Sequence, residues 1–437
     1  MKETLDDIKE DKNWFCPLPF NHIYSNSDGT WMPCCLSEPT KVLDESIIST
    51  DKKVMHNTEN TSMIDWWKSD TMNGIRDEMT GVSKETKLTD HYCGKCKKQE
   101  NIEGKSSRMG WKDSIIKTLH NHQSSRALVM AVASYKDYNE MDLSDIEDRF
   151  LDLKLRIFGN LCNLSCYMCW PHNSSTRIND VKRLPDKYKG MWFGGNATDD
   201  GIPKNISKVN KDEFASSLEQ IKDIAHLVSS IKITGGEPMM MDNHYNLLDL
   251  LIESGDAKHI HLRYQTNFTK FSRGEEAFFK YMKEFKWVAV QISIDSVGEY
   301  DEYIRKNGST DTVDKNIDKL RNLPNVSFGI ANTVSMLSVL NHSEFDKKWK
   351  NKNAKLSYFV LAYPDYLSVK HLPDKIKQRL ITETTQEPII KVLKQERDDS
   401  QFQIAIQYCL DLDILYKRKR GLFDLWPELK EHYVQSG

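Results

Sequence analysis

Cysteines are the residues of this chain with the clearest capacity for chemistry, because eight of the nine lie in short local groups. In a reducing compartment, clustered cysteines indicate metal or redox chemistry, and an odd total does not suit a fully paired disulfide framework. Three thiolates from one loop can bind a four-iron cluster and leave one iron open for a substrate or a cofactor. The groups are Cys16; Cys34 and Cys35; Cys93 and Cys96; and Cys162, Cys166 and Cys169, while Cys409 stands alone.

Residue chemistry alone leaves the identity of the metal open at both cysteine sets. For the three-cysteine loop at 162–169, the alternative is a zinc site with His172 as the fourth ligand, although zinc sites usually combine two separated ligand groups. The CxxC at 93–96, with distant cysteine partners near the N-terminus, suits either zinc or an iron–sulfur cluster. Cys409 is expected to be a buried thiol.

From residue 151 onward, short apolar strands alternate with amphipathic helices, and these elements must position the three-cysteine loop. Such βαβ units predict a parallel sheet and, with right-handed crossovers, a full or partial TIM-like β/α barrel. A doubly wound open sheet has the same local pattern. In a barrel, the loops after the strands build the active site, and the loop 162–169 follows the first strand. The six predicted strands are 151–157, 230–234, 259–267, 287–295, 325–331 and 355–363, and the helices between them are 211–228, 243–254, 275–285 and 312–322.

The chain is accordingly divided into four parts. Residues 1–115 are predicted to form a small, metal-stapled N-terminal domain, with a turn at 28–29. A linker or helical connection at 116–150 leads to the barrel at 151–365, which includes a polar, glycine-rich stretch at 190–210. Residues 366–437 are predicted to be a helical C-terminal extension.

The CxxxCxxC spacing of Cys162, Cys166 and Cys169 resembles the signature of the radical SAM superfamily. The resemblance implies that these three residues are catalytic and hold a 4Fe–4S cluster whose open iron binds S-adenosylmethionine (SAM). The residue before the third cysteine, commonly aromatic in that family, is Met168 here. The resemblance implies that this position contacts the adenine of SAM largely through its backbone.

A GGEP sequence after the second predicted strand is similar to a second motif of the same family. There, the backbone and the Glu237 carboxylate would receive the amino group of SAM, and a carboxylate suits a cationic ammonium group. Polar side chains at later strand ends would contact the ribose and methionine parts of SAM, and an arginine would face its carboxylate. The residues implied to bind the cofactor are Gly235, Gly236, Glu237 and Pro238 of the motif, followed by Asn267, Ser293, Asp295 and Arg305.

The N-terminal cysteines resemble the SPASM/twitch auxiliary domain of radical SAM enzymes. The similar features are a cysteine and proline near residue 16, a DG followed by PC, a Trp–Ser–Arg pattern at 67–76, and a CxxC with Glu100 and Arg108 downstream. The resemblance implies one auxiliary 4Fe–4S cluster, placed before the barrel although this domain normally follows it. Its ligands would be Cys16, Cys93 and Cys96, with either Cys34 or Cys35 in the fourth place.

The implied reaction is an oxidoreductase-type radical reaction that an external electron donor starts. A reduced cluster passes one electron to SAM, and the 5′-deoxyadenosyl radical released removes a hydrogen atom from the substrate. The expected substrate is a peptide that is modified or oxidised, or else a small molecule. The alternative function is a non-catalytic zinc-binding structural or interaction protein, and a simple electron-transfer ferredoxin is a further rival.

Composition restricts the partners and the compartment of this 437-residue chain. Hydrophobic residues make up 39% and charged residues 29%, with a formal net charge of −3. This balance offers no broad basic face, so nucleic-acid binding is not expected. The sequence shows no apolar run long enough for a membrane span and no signal-peptide pattern at its N-terminus. We therefore expect a cytoplasmic protein without membrane contacts.

Overall fold

A computed structural model of the protein describes residues 10–11, 13–25, 30–37, 61–120, 149–156, 159–188 and 211–434. The predicted turn at 28–29, the stretch 190–210 and most of the connection at 116–150 lie outside the described residues. Within the described part of the chain, no helix is long and apolar enough to cross a bilayer.

An eight-stranded sheet forms the centre of the molecule, in the order β10-β9-β7-β6-β5-β3-β1-β2, and a separate two-stranded sheet pairs β4 with β8. The strands are β1 (His22–Ser25), β2 (Trp31–Met32), β3 (Leu151–Leu155), β4 (Ser165–Cys166), β5 (Val228–Ile233), β6 (His261–Thr266), β7 (Trp287–Ser293), β8 (Arg305–Lys306), β9 (Val326–Val334) and β10 (Lys355–Val360).

The six predicted strands are confirmed as β3, β5, β6, β7, β9 and β10, and each pairs in parallel with the next one along the chain. A doubly wound sheet would reverse its strand order at a switch point. The unbroken order shows a partial, six-stranded TIM-like β/α barrel instead.

Helices connect the strands and cover the sheet. For example, α8 buries Tyr245, Leu248 and Leu251, which recur at the spacing of one helix face. The helices are α1 (Leu18–Asn21), α2 (Met63–Trp67), α3 (Asp70–Thr80), α4 (Lys87–Glu103), α5 (Ser107–His120), α6 (Ser175–Arg183), α7 (Lys211–Ile224), α8 (Asp242–Glu253), α9 (Glu275–Met282), α10 (Gly298–Ile304), α11 (Thr310–Leu320), α12 (His342–Asn351), α13 (Asp374–Glu383), α14 (Glu387–Leu393), α15 (Asp399–Tyr416) and α16 (Leu422–Leu425).

The strands alternate between an apolar outer face and a polar inner face. Leu153, Ile231 and Leu262 are fully buried in the core beneath the helices. Side chains of successive strand residues point to opposite faces, so the residues next to these three lie on the other side of the sheet. Those neighbours include Lys154 and Lys232, which are only partly buried. The barrel therefore has a charged inner face.

The N-terminal part of the chain is joined to the barrel by a strand. In β1, His22 lies beside Asp152 and Tyr24 beside Lys154, in parallel with the first barrel strand β3. The hairpin partner β2 then forms the edge of the sheet. The sequence pattern indicated only short strand-like pieces here, and did not predict that one of them would extend the barrel sheet.

Two buried arginines hold the N-terminal segment around Cys16. Arg76 donates hydrogen bonds to the backbone oxygens of Pro19 (2.8 Å) and Trp67 (2.5 Å). Arg108 binds the carboxylate of Glu100 at 2.8 Å and the backbone oxygen of Phe15 at 2.7 Å. These residues of the sequence motif therefore act structurally, by fixing the chain on both sides of Cys16.

Candidate active site

A cavity of about 340 Å³ lies at the carboxyl ends of the barrel strands, and its size is typical of small-molecule sites. All three cysteines of the core loop contribute to its wall. Most of the residues implied to bind the cofactor line it as well. The predicted residues found here are Cys162, Met168, Cys166, Cys169, Gly235, Gly236, Asn267, Ser293, Asp295 and Arg305.

The cysteine loop is tied to the opposite side of the barrel through a short antiparallel ladder. Cys166 in β4 pairs with Arg305 in β8. Within the loop, the Cys169 amide donates to the Cys166 carbonyl at 3.0 Å. Burial raises the pKa of the Cys162 thiol to about 12, with the Glu237 carboxylate adding to this effect. The thiols therefore stay protonated until a metal displaces the protons.

Arg305 places a positive charge beside the cysteines. Its guanidinium donates to Asp295 Oδ2 at 2.9 Å, and Asp295 Oδ1 accepts the Thr333 amide at 2.8 Å. The same guanidinium interacts electrostatically with Cys166 and stabilises its thiolate form. An anionic cluster or a carboxylate in the cavity would meet this charge.

The two motif glycines allow the turn after β5 to touch the start of the cysteine loop. Gly236 has φ of +40°, and a Cβ there would lie 2.4 Å from the Leu161 carbonyl oxygen and 2.7 Å from the Asn160 carbonyl carbon. The next amide, of Glu237, donates to that Leu161 oxygen at 2.7 Å. No side chain fits between these two backbone segments, so the close contact requires glycine at position 236.

We expect Gly236→Ala to weaken SAM binding by about tenfold or more, because the displaced backbone costs at least 1.4 kcal/mol at the cavity wall. The matched control is Gly274→Ala, since Gly274 also has positive φ (+85°) but has nothing within 4 Å of the added Cβ. Equilibrium dialysis of SAM against cluster-loaded protein measures the difference. Equal affinities of the two variants would contradict this role of the glycine.

Glu237 and Pro238 do not line the cavity. The Glu237 carboxylate is fully buried and accepts hydrogen bonds from the Thr266 hydroxyl (2.7 Å) and the amides of Asn267 (2.6 Å) and Met239 (3.2 Å). Burial raises the pKa of Glu237 to about 7 although these bonds oppose the rise. In this structure Glu237 positions the loop that carries Asn267. The motif had implied that its carboxylate would contact SAM, but the carboxylate does not line the cavity.

Several residues that line the cavity were not predicted from the sequence. Arg156 and Thr234 directly follow β3 and β5, so their place at strand ends was a usable signal. Trp170 and Tyr363 stack with ring centroids 5.0 Å apart at the cavity wall. These two rings come from segments far apart in sequence, and no local pattern predicts that they meet.

The C-terminal extension braces the cysteine loop. In α15 the buried Tyr408 hydroxyl donates to the Tyr167 carbonyl at 2.9 Å and accepts a hydrogen bond from Arg177. Tyr416 donates to Asp180 Oδ2 at 2.7 Å, and the same carboxylate accepts a bond from Ser165 of β4. The extension therefore supports the loop that carries Cys166 and Cys169.

We expect Tyr408→Phe to lower the free energy of unfolding by about 1–3 kcal/mol, because the buried Tyr167 carbonyl and Arg177 each lose a partner. Urea unfolding of the variant measures this loss. The control is Tyr433→Phe, whose hydroxyl bonds the Gln407 side chain at a half-exposed position. A loss no larger than that of the control would contradict the bracing role.

The N-terminal cysteines form a second group, and the structure separates Cys34 from Cys35. Cys16 interacts electrostatically with Cys34, Cys93 and Cys96. Cys93 likewise interacts with Cys34 and Cys96. Neither interaction set includes Cys35, which acts on Lys232 of the barrel and, like Cys34, on Tyr24. Cys16, Cys34, Cys93 and Cys96 thus lie close enough to one another to interact, and Cys35 lies close to Lys232 of the barrel.

The donor sets fit iron–sulfur clusters. The ligands of a four-iron cluster bind different irons, whereas those of a zinc ion must meet at one point. His172, the fourth ligand of the zinc alternative, has a side chain outside the described residues. At the core, three thiols, an adjacent cavity and the nearby cations Arg305 and Arg156 fit a cluster that has three protein ligands and binds SAM at its open iron.

Two family models match the sequence. The model described as "Radical SAM superfamily" matches residues 157–347, and the model described as "Iron-sulfur cluster-binding domain" matches residues 16–97. Together the two segments span more than half of the chain. No curated protein sequence matches it.

Three solved structures are similar at low sequence identity. Native anSMEcpe with bound AdoMet is 18% identical, with a TM-score of 0.38 over 55% of this chain and 59% of that one. The same protein with AdoMet and the Kp18Cys peptide is 16% identical, with a TM-score of 0.37 over 61% of each chain. Streptococcus suis SuiB bound to S-adenosylmethionine is 13% identical, with a TM-score of 0.36 over 67% of this chain and 60% of that one. The present chain thus spans about three fifths of these relatives.

Proposed function

Because the chain belongs to the radical SAM superfamily, we propose that it is an enzyme that cleaves SAM reductively, with Cys162, Cys166 and Cys169 as the ligands of its 4Fe–4S cluster. A 4Fe–4S cluster and SAM are the cofactors of this family. The cluster-binding domain implies a further, auxiliary iron–sulfur cluster. The observation that carries the proposal is the convergence of the three thiols, both motif glycines and Arg305 on one cavity.

When bound, the cluster supplies one electron from an external donor to SAM, whose carbon–sulfur bond breaks to give methionine and a radical that takes a hydrogen atom from the substrate. The chain positions these partners. Arg305, held by Asp295, offers its charge to a carboxylate. The Asn267 amide group lies 3.8 Å from Cys162 Sγ and 3.0 Å from Asn163 Oδ1, so it orients the loop. Ser293 accepts a bond from Gln265 at 2.8 Å, and both line the cavity.

For the auxiliary cluster, the proposed ligands are Cys16, Cys34, Cys93 and Cys96. The mutual electrostatic interactions of these four thiols support this set. Cys35 is not included, because the interactions of Cys16 and Cys93 are with Cys34 and not with Cys35, whose own contact with the barrel is Lys232.

The proposed substrate is a peptide, on which the enzyme would act by oxidation or another radical modification. The stacked pair of Trp170 and Tyr363 supports this class, because Tyr363 is 41% exposed and lies at the cavity wall. Rigid aromatic side chains of this kind are enriched where proteins bind other polypeptides.

A perdeuterated peptide digest tests the proposal without knowledge of the sequence that is modified. Cluster-loaded protein is incubated with SAM, dithionite and the digest, and the mass of the 5′-deoxyadenosine is measured. Hydrogen abstraction from a peptide would add one deuterium to the product. A perdeuterated monosaccharide mixture is the control, and deuterium arriving only from the sugars would contradict the peptide class.

A further inference from the structure

Three cations lie side by side on the inner face of the barrel. Lys154 of β3 is in register with Lys232 of β5, which is in register with Arg263 of β6. Tyr24 of β1 continues the row beside Lys154. We call these four residues the inner row. Like charges on adjacent strands are destabilising, so their placement here has a structural cost.

Internal contacts neutralise only one end of the inner row. Arg263 forms an ion pair with Asp152, which also binds His22 at 2.8 Å. Lys154 lies over the ring of Tyr24 at 5.2 Å. Lys232 is different, because within the described residues it has no hydrogen-bond or ion-pair partner. Burial lowers the pKa of Lys232 to about 8, and the charges of Lys154 and Arg263 add to this effect.

The inner row lies directly below the cavity. Lys154 and Lys232 precede the cavity residues Arg156 and Thr234 by two positions on the same strands. Two residues along a strand keep the same face and correspond to about 7 Å. Lys154 and Lys232 therefore lie on the same face of the sheet as these two cavity residues, one strand repeat further from the cavity.

The other side of the inner row faces the N-terminal cysteines. Lys232 interacts electrostatically with Cys35, and Tyr24 with both Cys34 and Cys35. Tyr24 also interacts with Arg156 through its hydroxyl. Lys232 thus lies near Cys35, the neighbour of the proposed auxiliary ligand Cys34, and on the same face of the sheet as the cavity residue Thr234.

We propose that Lys154 and Lys232 bind an oxyanion of the substrate, a carboxylate or a phosphate, below the SAM cavity. The site rests on the proposed function in one respect, namely that the cavity above it is where SAM and the substrate meet. Two ammonium groups form charge-assisted hydrogen bonds with such a group and remove the mutual repulsion of the row. For a peptide substrate, the group is an acidic side chain or a terminal carboxylate.

Competitive labelling of lysines tests the site in the cluster-loaded protein. Trace acetic anhydride modifies amines, and mass spectrometry of the digest reports each lysine separately. Glutarate or inorganic phosphate at four times its dissociation constant should slow the labelling of Lys232 about fivefold, from simple occupancy. Lys350, whose side chain is 57% exposed, is the internal reference and should not change. Neutral glutaramide should give no protection.

Variants then show whether the two lysines act together. Lys154→Met should abolish the protection of Lys232 by the anion, whereas Lys222→Met, at a position 59% exposed, should leave it intact. Protection by glutarate alone identifies a carboxylate, and protection by phosphate alone identifies a phosphate.

Failure of the oxyanion site and failure of the proposed function give different results. The site is overturned if neither anion protects Lys232, if glutaramide protects equally, or if SAM alone protects. Formation of 5′-deoxyadenosine is measured in the same preparation. SAM cleavage without protection overturns only the oxyanion site. Protection without SAM cleavage overturns the proposed function and, with it, the assignment of the anion to a substrate.

Discussion

Cys166→Ala is expected to reduce 5′-deoxyadenosine formation by about a thousandfold or more, which corresponds to at least 4 kcal/mol of barrier. Cys166 is buried in β4 and pairs with Arg305, so no neighbouring cysteine can take its place without breaking that ladder. A cluster with two protein ligands in this loop would be lost or would have no defined open iron. The measurement is the product formed with dithionite and SAM by anaerobically reconstituted protein.

Cys409→Ala is the matched control for this prediction. Cys409 is fully buried in α15 and does not line the cavity, so the variant should keep its iron and its activity. Variants Cys162→Ala and Cys169→Ala should behave as Cys166→Ala does, because all three thiols line the same cavity. A Cys166→Ala protein that retains more than about a tenth of the activity, roughly 1.4 kcal/mol in barrier, would contradict the ligand assignment.

Cys34→Ala is expected to remove the auxiliary cluster, whereas Cys35→Ala should retain it. Cys34 is one of the three cysteines whose electrostatic interaction raises the pKa of Cys16, and Cys35 is not among them. The expected loss is about four irons and four sulfides per chain, since one 4Fe–4S cluster is no longer held. Iron and sulfide analysis of the two reconstituted variants measures the difference, and the core cluster should remain in both.

Adjacent cysteines make this comparison a stringent one. Both substitutions remove the same atoms, and Cys34 and Cys35 are both partly buried, so packing losses should be similar. Loss of iron from the Cys35 variant, with full iron in the Cys34 variant, would reverse the assignment. Equal losses in both would show that the cluster depends on the whole segment and not on one ligand.

The barrel strands could be predicted because each carries a clear alternation of period two. β7, for example, buries Val288, Val290 and Ile292 on one face. The place of β1 in the barrel sheet could not be predicted, because all four of its residues are buried and show no alternation. A strand that is buried on both faces cannot be assigned to a sheet from its own sequence.

The candidate site was predictable where its residues follow strands, and unpredictable where it depends on register. Asn267 and Asp295 were expected at strand ends, and both line the cavity. The pairing of Lys154 with Lys232 depends on how β3 and β5 align, which a sequence does not state. The contact of Tyr408 with Tyr167 spans 241 positions and follows only from the packed fold.

The most direct test of the central claim is the reaction of the reconstituted wild-type protein with SAM under reduction by dithionite. The proposal predicts about eight irons per chain, from two 4Fe–4S clusters, and equal amounts of methionine and 5′-deoxyadenosine as products. Zinc in place of iron, with SAM left intact, would contradict it and would make this a structural metal protein.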